Sequence, residues 1–357
     1  MYDIFTDDFE TFINSWWPYI LSICISIIYA IRFYVGGVDC VSRNRIDDKI
    51  IIITGSTSGI GLETAKDLIS RGGHVILAVR NIDKANKIFE GIKKKNEKFK
   101  ISVIQLDISD FFSIQSFAKR IIEEYEKIDV LINNAAVIFQ PFQKTAEGNE
   151  LTLVTNYLGP FLLTHLLLPL LNKSTNGRII NVSAVAHFTG KLKLDNLNME
   201  KNFNEKDAFA QSKLALTIFT RYLASLLSKT KITCNSVCPG LVRGTGHLRN
   251  IFLNGNKWSK IYLWPWIWLF LKTPKQGSQN IVYLAVEPSL SDITGCYFSD
   301  CEIKNPAENV KDVKLAQALY SRSCSIVNIN GKKLIDSLIC PEKSNNNHDL
   351  GDGDNDF

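Results

Sequence analysis

A glycine-rich turn near residue 55 has the residue types and spacing that point most clearly to chemistry. The apolar run KIIIITG leads directly into the turn, and a helical pattern beginning LETAKDLI follows it. Gly55 permits a tight turn, Gly59 lets the backbone approach a pyrophosphate, and Gly61 lets the helix pack on the sheet. Because helix N-terminal amides attract phosphate, this arrangement predicts a dinucleotide site. Its residues are Gly55, Ser56, Thr57, Ser58, Gly59, Ile60 and Gly61.

The end of the next apolar run bears on the choice of cofactor. This run ends in AVRN, where an NAD-specific protein usually carries an acidic residue that accepts bonds from the ribose hydroxyls. Arg80 offers instead a planar, permanently charged group that suits a 2′-phosphate. NADP(H) is therefore the favoured cofactor. A solvated arginine at a strand end is the alternative interpretation, and it leaves NAD(H) open.

Short apolar runs and longer helical patterns alternate along most of the chain, and these elements must position the turn. Such alternation predicts an α/β fold, with a Rossmann-type, doubly wound parallel sheet covered by helices on both faces. We expect helices over residues 60–70 and 114–126, and one such domain over residues 46–330 of the 357. The candidate strands are KIIIITG, HVILAV, KISVIQLD, IDVLINNA, GRIINVSA and ITCNSVCPG.

An apolar stretch from Trp16 to Val38, interrupted only by Arg32, precedes this domain. At about 1.5 Å per residue it is long enough to cross a hydrocarbon core of about 30 Å. Acidic residues precede the stretch, whereas arginines and a lysine follow it, so residues 1–45 are predicted to be a single-pass anchor and linker with the main domain cytosolic. A cleaved signal peptide is the rival interpretation, but the basic region that it requires is absent.

A second apolar segment, WSKIYLWPWIWLFL from Trp258 to Leu271, is too short for another span and has Pro265 in its middle. All six tryptophans lie here or at Trp16 and Trp17. Since tryptophan favours the membrane interface, the segment is interpreted either as a membrane contact or lipid-substrate lid, or as an ordinary core helix. Residues 331–357 are predicted to be a polar, disordered tail.

The overall composition excludes two classes of function. A formal net charge of +5 is spread along the chain without the dense basic stripe that nucleic-acid binding needs. The eight cysteines are far apart and have no companion histidine cluster, so we expect no metal site and reduced thiols.

Four motifs together resemble the short-chain dehydrogenase/reductase superfamily over nearly all of residues 46–330. They are TGSTSGIG, Leu106-Asp107 after the third strand, Asn133-Asn134-Ala135-Ala136 after the fourth, and Pro239-Gly240 after the sixth. Within that superfamily the run AFAQSKLALTIFTRYLASLL, with LFLKTP and YSRSC, resembles the retinol dehydrogenase group. The similarity is closest to the X-linked dehydrogenase/reductase branch, which handles polyisoprenoid alcohols and aldehydes.

This resemblance implies roles for further residues at the cofactor. Asp107 would hold the adenine, Asn134 would support the ribose side, and Pro239 with Gly240 would border the nicotinamide. The chain departs from the family in three places: Ala136 replaces a frequent glycine, Gly244 stands where a nicotinamide-contacting threonine is usual, and Thr245 comes one position late.

The resemblance also implies hydride transfer between nicotinamide and a carbonyl or alcohol carbon, with four residues managing the oxygen. A lysine four positions after a tyrosine lowers the tyrosine pKa, a serine bonds the substrate oxygen, and an asparagine maintains a proton relay. Lys213 and Asn156 match the lysine and the asparagine. Phe209 stands at the tyrosine position and Ala184 at the serine position, so both hydroxyls are missing.

Neighbouring groups offer limited replacement for these hydroxyls. Ser183 is one step away on a strand and should face the other way. Ser212, Tyr157, His187 or a water on Lys213 remain as candidate proton sources.

Two functions follow from these residues. The first is an oxidoreductase with weakened or rerouted chemistry that acts on a lipophilic retinoid or polyprenol at the endoplasmic reticulum membrane. The second is a catalytically inactive pseudoenzyme that binds nucleotide or lipid. The family's use of long helices to pair subunits leaves a homodimer open.

Overall fold

Strands and helices alternate along the chain, as the sequence predicts. The structure is a computed structural model that describes residues 15–40, 42–94, 96, 98–243 and 265–339. The strands are β1 (Ile50–Thr54), β2 (His74–Val79), β3 (Ile101–Gln105), β4 (Val130–Asn133), β5 (Gly177–Val182), β6 (Ile232–Cys238), β7 (Tyr297–Ser299) and β8 (Glu302–Lys304). The longer helices are α1 (Trp17–Gly36), α2 (Gly59–Ser70), α3 (Ile82–Lys93), α4 (Phe111–Glu124), α5 (Leu151–Asn172), α6 (Glu205–Leu226), α7 (Pro274–Val286), α8 (Val313–Ile326) and α9 (Gly331–Ile339).

The strands form one sheet in the order β3-β2-β1-β4-β5-β6-β7-β8. The strands from β3 to β7 pair in parallel, and β8 pairs antiparallel with β7. The chain winds from β1 outward to β3 and then returns to place β4 on the other side of β1. This reversal opens a crevice at the carboxyl ends of β1 and β4, which is where doubly wound sheets bind ligands. The predicted Rossmann-type fold is confirmed.

Helices cover both faces of the sheet because its strands are apolar on both sides. In β1, Ile52 points into the core layer that contains α4, α5, α6 and α8, whereas Ile51 and Ile53 point into the layer of α2, α3 and α7. All three isoleucines are fully buried. A strand alternates its side chains between two faces, so a continuous apolar run fills two cores at once.

Side-chain caps fix where several helices begin near the crevice. The side-chain oxygen Oδ1 of Asn81 accepts a hydrogen bond from the Lys84 N–H at 2.8 Å at the start of α3. At the start of α4, Asp110 accepts bonds from the N–H groups of Phe112 and Ser113. These bonds satisfy backbone donors that have no partner within the helix, so they fix the residue at which each helix starts.

Within the described ranges, two helices are apolar and long enough to span a membrane, but they differ in burial. In α1, only 6% of an apolar stretch of 18 residues is buried, whereas in α5 89% of such a stretch is buried. Helix α5 is therefore a core helix, and α1 is the candidate membrane span.

The C-terminal boundary of the fold requires a correction. The predicted disordered tail starts at residue 331, but residues Gly331–Ile339 form α9. Gly331 and Ile335 are buried on the same helical face, one turn apart, and Leu338 packs against the same core. The helix is amphipathic but only nine residues long, so its pattern is easily overlooked beside the polar run that follows, and its one apolar face docks it on the core. Residues 340–357, including the polar run after Lys343, lie outside the described residues.

The tryptophan-rich segment is described only from residue 265 onward, and residues 258–264 lie outside the described part. Residues 265–270 are helical and are named here the aromatic helix. Trp266, Trp268 and Phe270 are 60%, 41% and 46% exposed. Such exposure rules out the core-helix interpretation for these residues.

Candidate active site

The glycine turn joins the end of β1 to the start of α2, and its glycines are required by close packing. Gly55 and Gly59 have φ angles of +68° and +57°, a region that side chains disfavour. A Cβ on Gly55 would lie 2.8 Å from the Ala135 Cα, and a Cβ on Gly61 would overlap the Asn134 side chain and the Gly55 carbonyl oxygen. The turn therefore presents bare backbone to the crevice.

A cleft of about 850 Å³ lies over this turn at the carboxyl ends of the strands. It gathers residues from across the chain, and fourteen of the sixteen predicted site residues line it. These are Gly55, Thr57, Ser58, Gly59, Ile60, Gly61, Arg80, Asp107, Asn134, Ala184, Phe209, Lys213, Pro239 and Gly240. Ser56 and Asn156 do not line the cleft. The Ser56 side chain is buried, with no hydrogen-bond partner for its hydroxyl among the described residues.

One end of the cleft is cationic. Arg80, Asn81 and Lys84 line it where β2 turns into α3. Lys84 is missing from the sequence prediction, although its position three residues after a capping asparagine was the available signal. Arg80 and Lys84 both line this end, whereas Asp83 of the same turn is not among the lining residues, so this end favours an anionic group such as a phosphate monoester.

Asp107 and Asn134 line the cleft, and their side chains also form hydrogen bonds that fix the loops around it. The Asp107 carboxylate accepts hydrogen bonds from the Ser109 N–H at 3.0 Å and the Ser109 hydroxyl at 2.6 Å. The Asn134 amide donates to the carbonyl oxygens of Thr54 and Gly55, at 2.9 and 3.2 Å. Asn134 thus ties the end of β4 to the glycine turn, which makes it a positioning residue for the backbone of that turn.

Lys213 is the buried cation at the opposite end of the cleft. It lies on α6, one turn after Phe209, and its Nζ donates a hydrogen bond to the Val182 carbonyl oxygen at 2.8 Å. Burial lowers the pKa of Lys213 to about 8, because desolvation disfavours the ammonium form. The group therefore remains mostly protonated at neutral pH.

Asn156 lies behind the cleft in a π-helical stretch, Val154–Leu158, inside α5. It is fully buried. Its amide donates to the carbonyl oxygen of Val137 and to the Ser212 hydroxyl, each at 3.0 Å, and its oxygen accepts from the Val137 N–H at 2.8 Å. Asn156 therefore locks the loop after β4 against α5 and α6.

Phe209 and Ala184 form an apolar patch beside Lys213 in the cleft wall. The Phe209 ring is 2% exposed and makes an edge-to-face contact with Phe139, with ring centroids 5.6 Å apart. Ala184 follows β5 in extended backbone geometry and offers only a methyl group. These side chains supply no protic group at the two positions that the family pattern reserves for hydroxyls.

The neighbouring hydroxyl and imidazole groups are engaged elsewhere. The Ser183 and Thr217 hydroxyls are 2.7 Å apart, and the Ser212 hydroxyl donates to the Phe209 carbonyl oxygen. The Tyr157 hydroxyl lies 2.6 Å from the Ser323 hydroxyl in the core. The His187 Nε2 accepts from the Ala307 N–H, so its Nδ1 donates to the Ala184 carbonyl oxygen. None of the candidate side chains Ser212, Tyr157 and His187 lines the cleft. Ser183, which was expected to face the other way, does border it, but its hydroxyl is paired with that of Thr217.

Thr155 is a lining residue that the sequence prediction missed. It borders the cleft, and its hydroxyl is buried without a hydrogen-bond partner among the described residues. Its only signal in the sequence was its place directly before Asn156. Gly244 and Thr245, which depart from the family pattern, lie outside the described residues.

Comparison with known proteins identifies the family. The pattern of the family described as short chain dehydrogenase matches residues 49–255, more than half of the chain. The chain therefore belongs to the short-chain dehydrogenase/reductase family of oxidoreductases. Retinol dehydrogenase 13 from Homo sapiens is 38% identical over 300 residues, covering 84% of this chain and 90% of the relative. Retinol dehydrogenase 11 from Homo sapiens is 37% identical over 302 residues, covering 84% and 92%. The resemblance to the retinol dehydrogenase group is confirmed.

Solved structures share the fold. An uncharacterized protein from Mycobacterium paratuberculosis aligns with a TM-score of 0.65 at 26% identity, covering 82% of this chain and 98% of that one. A short chain dehydrogenase from Escherichia coli CFT073, crystallised with NADPH, aligns with a TM-score of 0.56 at 24% identity, covering 73% and 100%.

Proposed function

We propose that this protein is a membrane-bound, NADP(H)-dependent oxidoreductase of a lipid alcohol or aldehyde, such as a retinoid or polyisoprenoid, with weakened chemistry. The retinol dehydrogenase relatives support the substrate class. The observation that carries the weakened chemistry is the apolar patch of Phe209 and Ala184 beside Lys213.

The cleft fits a dinucleotide at its glycine turn and at its cationic end. The bare backbone at Gly55 and Gly61 leaves space that a side chain would fill, and Arg80 with Lys84 suits a 2′-phosphate. The structural neighbour crystallised with NADPH supports the same cofactor. When bound, a nicotinamide cofactor supplies or accepts hydride at the substrate carbon.

The protein's own residues then determine how well a proton accompanies the hydride. Lys213 holds a positive charge at the end of the cleft, but Phe209 provides no phenol whose pKa this charge could lower. Ala184 provides no hydroxyl to bond the substrate oxygen. Loss of an acid/base group costs roughly 10² to 10⁴ in rate and loss of one oxyanion-type donor about 10² to 10³, and such losses are not additive. We therefore expect a turnover rate about 10⁴-fold lower than that of an enzyme with both hydroxyls.

Restoring both hydroxyls tests this proposal. The double variant Phe209→Tyr/Ala184→Ser should oxidise or reduce a long-chain substrate roughly 10² to 10⁴ times faster than the native protein, measured by NADPH absorbance. The two single variants serve as matched controls and should each gain less. Titration with NADPH should give the same affinity in all four proteins. Native turnover as fast as that of the double variant would contradict the proposed role of the missing hydroxyls.

A pseudoenzyme is the second candidate, and the same missing hydroxyls favour it. A Lys213→Met control, assayed beside the native protein, distinguishes a pseudoenzyme from a slow enzyme. Native turnover above that control identifies a slow enzyme. Equal background rates, with NADPH binding retained in the native protein, identify a nucleotide-binding protein without catalysis.

We further propose that α1 is a single membrane span of the endoplasmic reticulum and that the main domain faces the cytosol. The exposure of α1 and the basic residues that follow it support this orientation.

A further inference from the structure

The aromatic helix carries an exposed apolar surface close to the cleft. The Trp266 and Phe270 rings stack in parallel, with centroids 5.9 Å apart, on one side of this helix. With Trp268, they leave roughly half of three large apolar side chains in contact with solvent. Soluble surfaces rarely gather aromatic side chains in this way unless something covers them.

Arg32, about one turn before the end of α1, joins the aromatic helix to the candidate span. Its Nη1 donates hydrogen bonds to the carbonyl oxygens of Trp268 at 2.9 Å and Leu271 at 3.0 Å. Its guanidinium also lies 5.5 Å from the centre of the Trp268 ring. The last carbonyls of a helix lack intrahelical partners, so the arginine satisfies them and complements the negative end of the helix dipole.

The same segment is joined to the cleft wall by backbone pairing. The Lys272 N–H donates to the Leu241 carbonyl oxygen, and the Arg243 N–H donates to the Lys272 carbonyl oxygen, each at 2.9 Å. Leu241 is 59% exposed, and its neighbours Gly240 and Val242 line the cleft. Apolar surface thus continues from the end of α1, through the aromatic helix, to the border of the cleft.

We propose that Trp266, Trp268, Phe270 and Leu241 form a second membrane contact, held by Arg32 against the bilayer that α1 crosses. The occupant is the lipid interface because the surface begins at the end of the span, where tryptophan rings and a snorkelling arginine are favoured. The contact places the Gly240 wall of the cleft at the membrane surface, so a substrate dissolved in the lipid phase enters there. This proposed contact depends on α1 being a membrane span and does not depend on whether the protein catalyses a reaction.

Depth-dependent quenching of tryptophan emission tests this contact. The full chain is reconstituted in phosphatidylcholine vesicles whose acyl chains are brominated either near the headgroup or near the bilayer centre. The emission of Trp266 and Trp268 is taken as the difference between the native protein and the Trp266→Phe/Trp268→Phe variant. We expect most of this difference emission to be lost with the shallow bromines and little of it with the deep bromines.

The Arg32→Gln variant tests the clamp, with Arg43→Gln as the control for an equal change of charge in the exposed linker. Arg32→Gln should lose the shallow quenching while the protein still floats with the vesicles, and Arg43→Gln should keep it. Difference emission that resists both lipids in floating protein would overturn the contact. Emission that shifts with protein concentration would assign the surface to a second copy of the chain. Failure to float would overturn the span and this contact together.

Discussion

Phe209 keeps its place through contacts that a tyrosine ring would also make. Its ring packs edge-to-face on Phe139, which adopts a left-handed backbone with φ of +49°. A residue other than glycine costs roughly 1 to 2 kcal/mol in that region, and the packed ring offsets the cost. Loss of the phenol therefore removes a chemical group without disturbing the aromatic packing around it.

Arg80 provides the residue-scale test of the cofactor. Arg80→Asp should weaken NADPH binding by roughly 10- to 100-fold, because a charge-assisted hydrogen bond of about 1.5 to 3 kcal/mol is replaced by repulsion. NADH should bind more tightly, since the new carboxylate accepts bonds from the ribose hydroxyls. Isothermal titration with each cofactor measures both changes.

Lys84→Ala is the matched control for that experiment, because it removes the second cation at the Arg80 end of the cleft without adding an acid. It should weaken NADPH binding by a smaller factor and leave NADH binding unchanged. If the Arg80→Asp variant retains the native cofactor preference, the assignment of Arg80 to the 2′-phosphate is wrong.

At the scale of elements, α9 shows that a short helix can belong to the core. Ile335 is 3% exposed, and the start of α9 fits closely against Tyr320 and His165. Ile335→Ala should lower the free energy of unfolding by about 2 to 5 kcal/mol, as is typical for a buried isoleucine. Urea denaturation followed by circular dichroism measures the loss.

The exposed Asp336, the next residue on α9, provides a control substitution. Asp336→Ala should change the free energy of unfolding by no more than about 0.5 kcal/mol, as is usual at the surface. Equal stability of the Ile335→Ala variant and the native protein would show that α9 contributes nothing to the core.

The elements that the sequence predicts are those with long or unbroken apolar patterns. Strands β1, β2, β4, β5 and β6 are almost entirely buried, so continuous apolar runs mark them, whereas β3 at the edge of the sheet is only partly buried. By contrast, β7 and β8 have three residues each, too few to show a period. Strand β7 pairs with β6, which lies about sixty residues earlier in the chain, and β8 joins the sheet only through β7. No local pattern carries that information.

At the scale of the whole molecule, the candidate site was predictable where motifs fix residues beside strand ends. The sheet brings Gly55, Asp107 and Asn134 to one cleft because the carboxyl ends of parallel strands share an edge. Lys84 and the Phe139 ring were not predicted, because their positions depend on a helix start and on a loop that folds back. The contact of Arg32 with the aromatic helix was not predicted either, because its partners are more than 230 residues away in the sequence.

The orientation of the anchor is the prediction that belongs to this scale. Microsomes that contain the full chain should keep it through carbonate extraction, and added protease should digest the main domain from outside, because the basic residues follow α1. Deletion of residues 17–36 provides the control and should release the protein. A main domain that is protected until detergent is added would reverse the proposed orientation.

Burial of α5 also has a consequence for biosynthesis. The 22 residues Leu151–Asn172 are apolar enough to resemble a membrane span, yet 89% of an apolar stretch of 18 residues among them is buried inside the folded domain. Under the proposed insertion of α1, a ribosome docked at the membrane would deliver this second apolar segment some 115 residues later. Folding of the sheet around α5 would then compete with insertion of α5 into the membrane, and the correct topology requires that folding is faster.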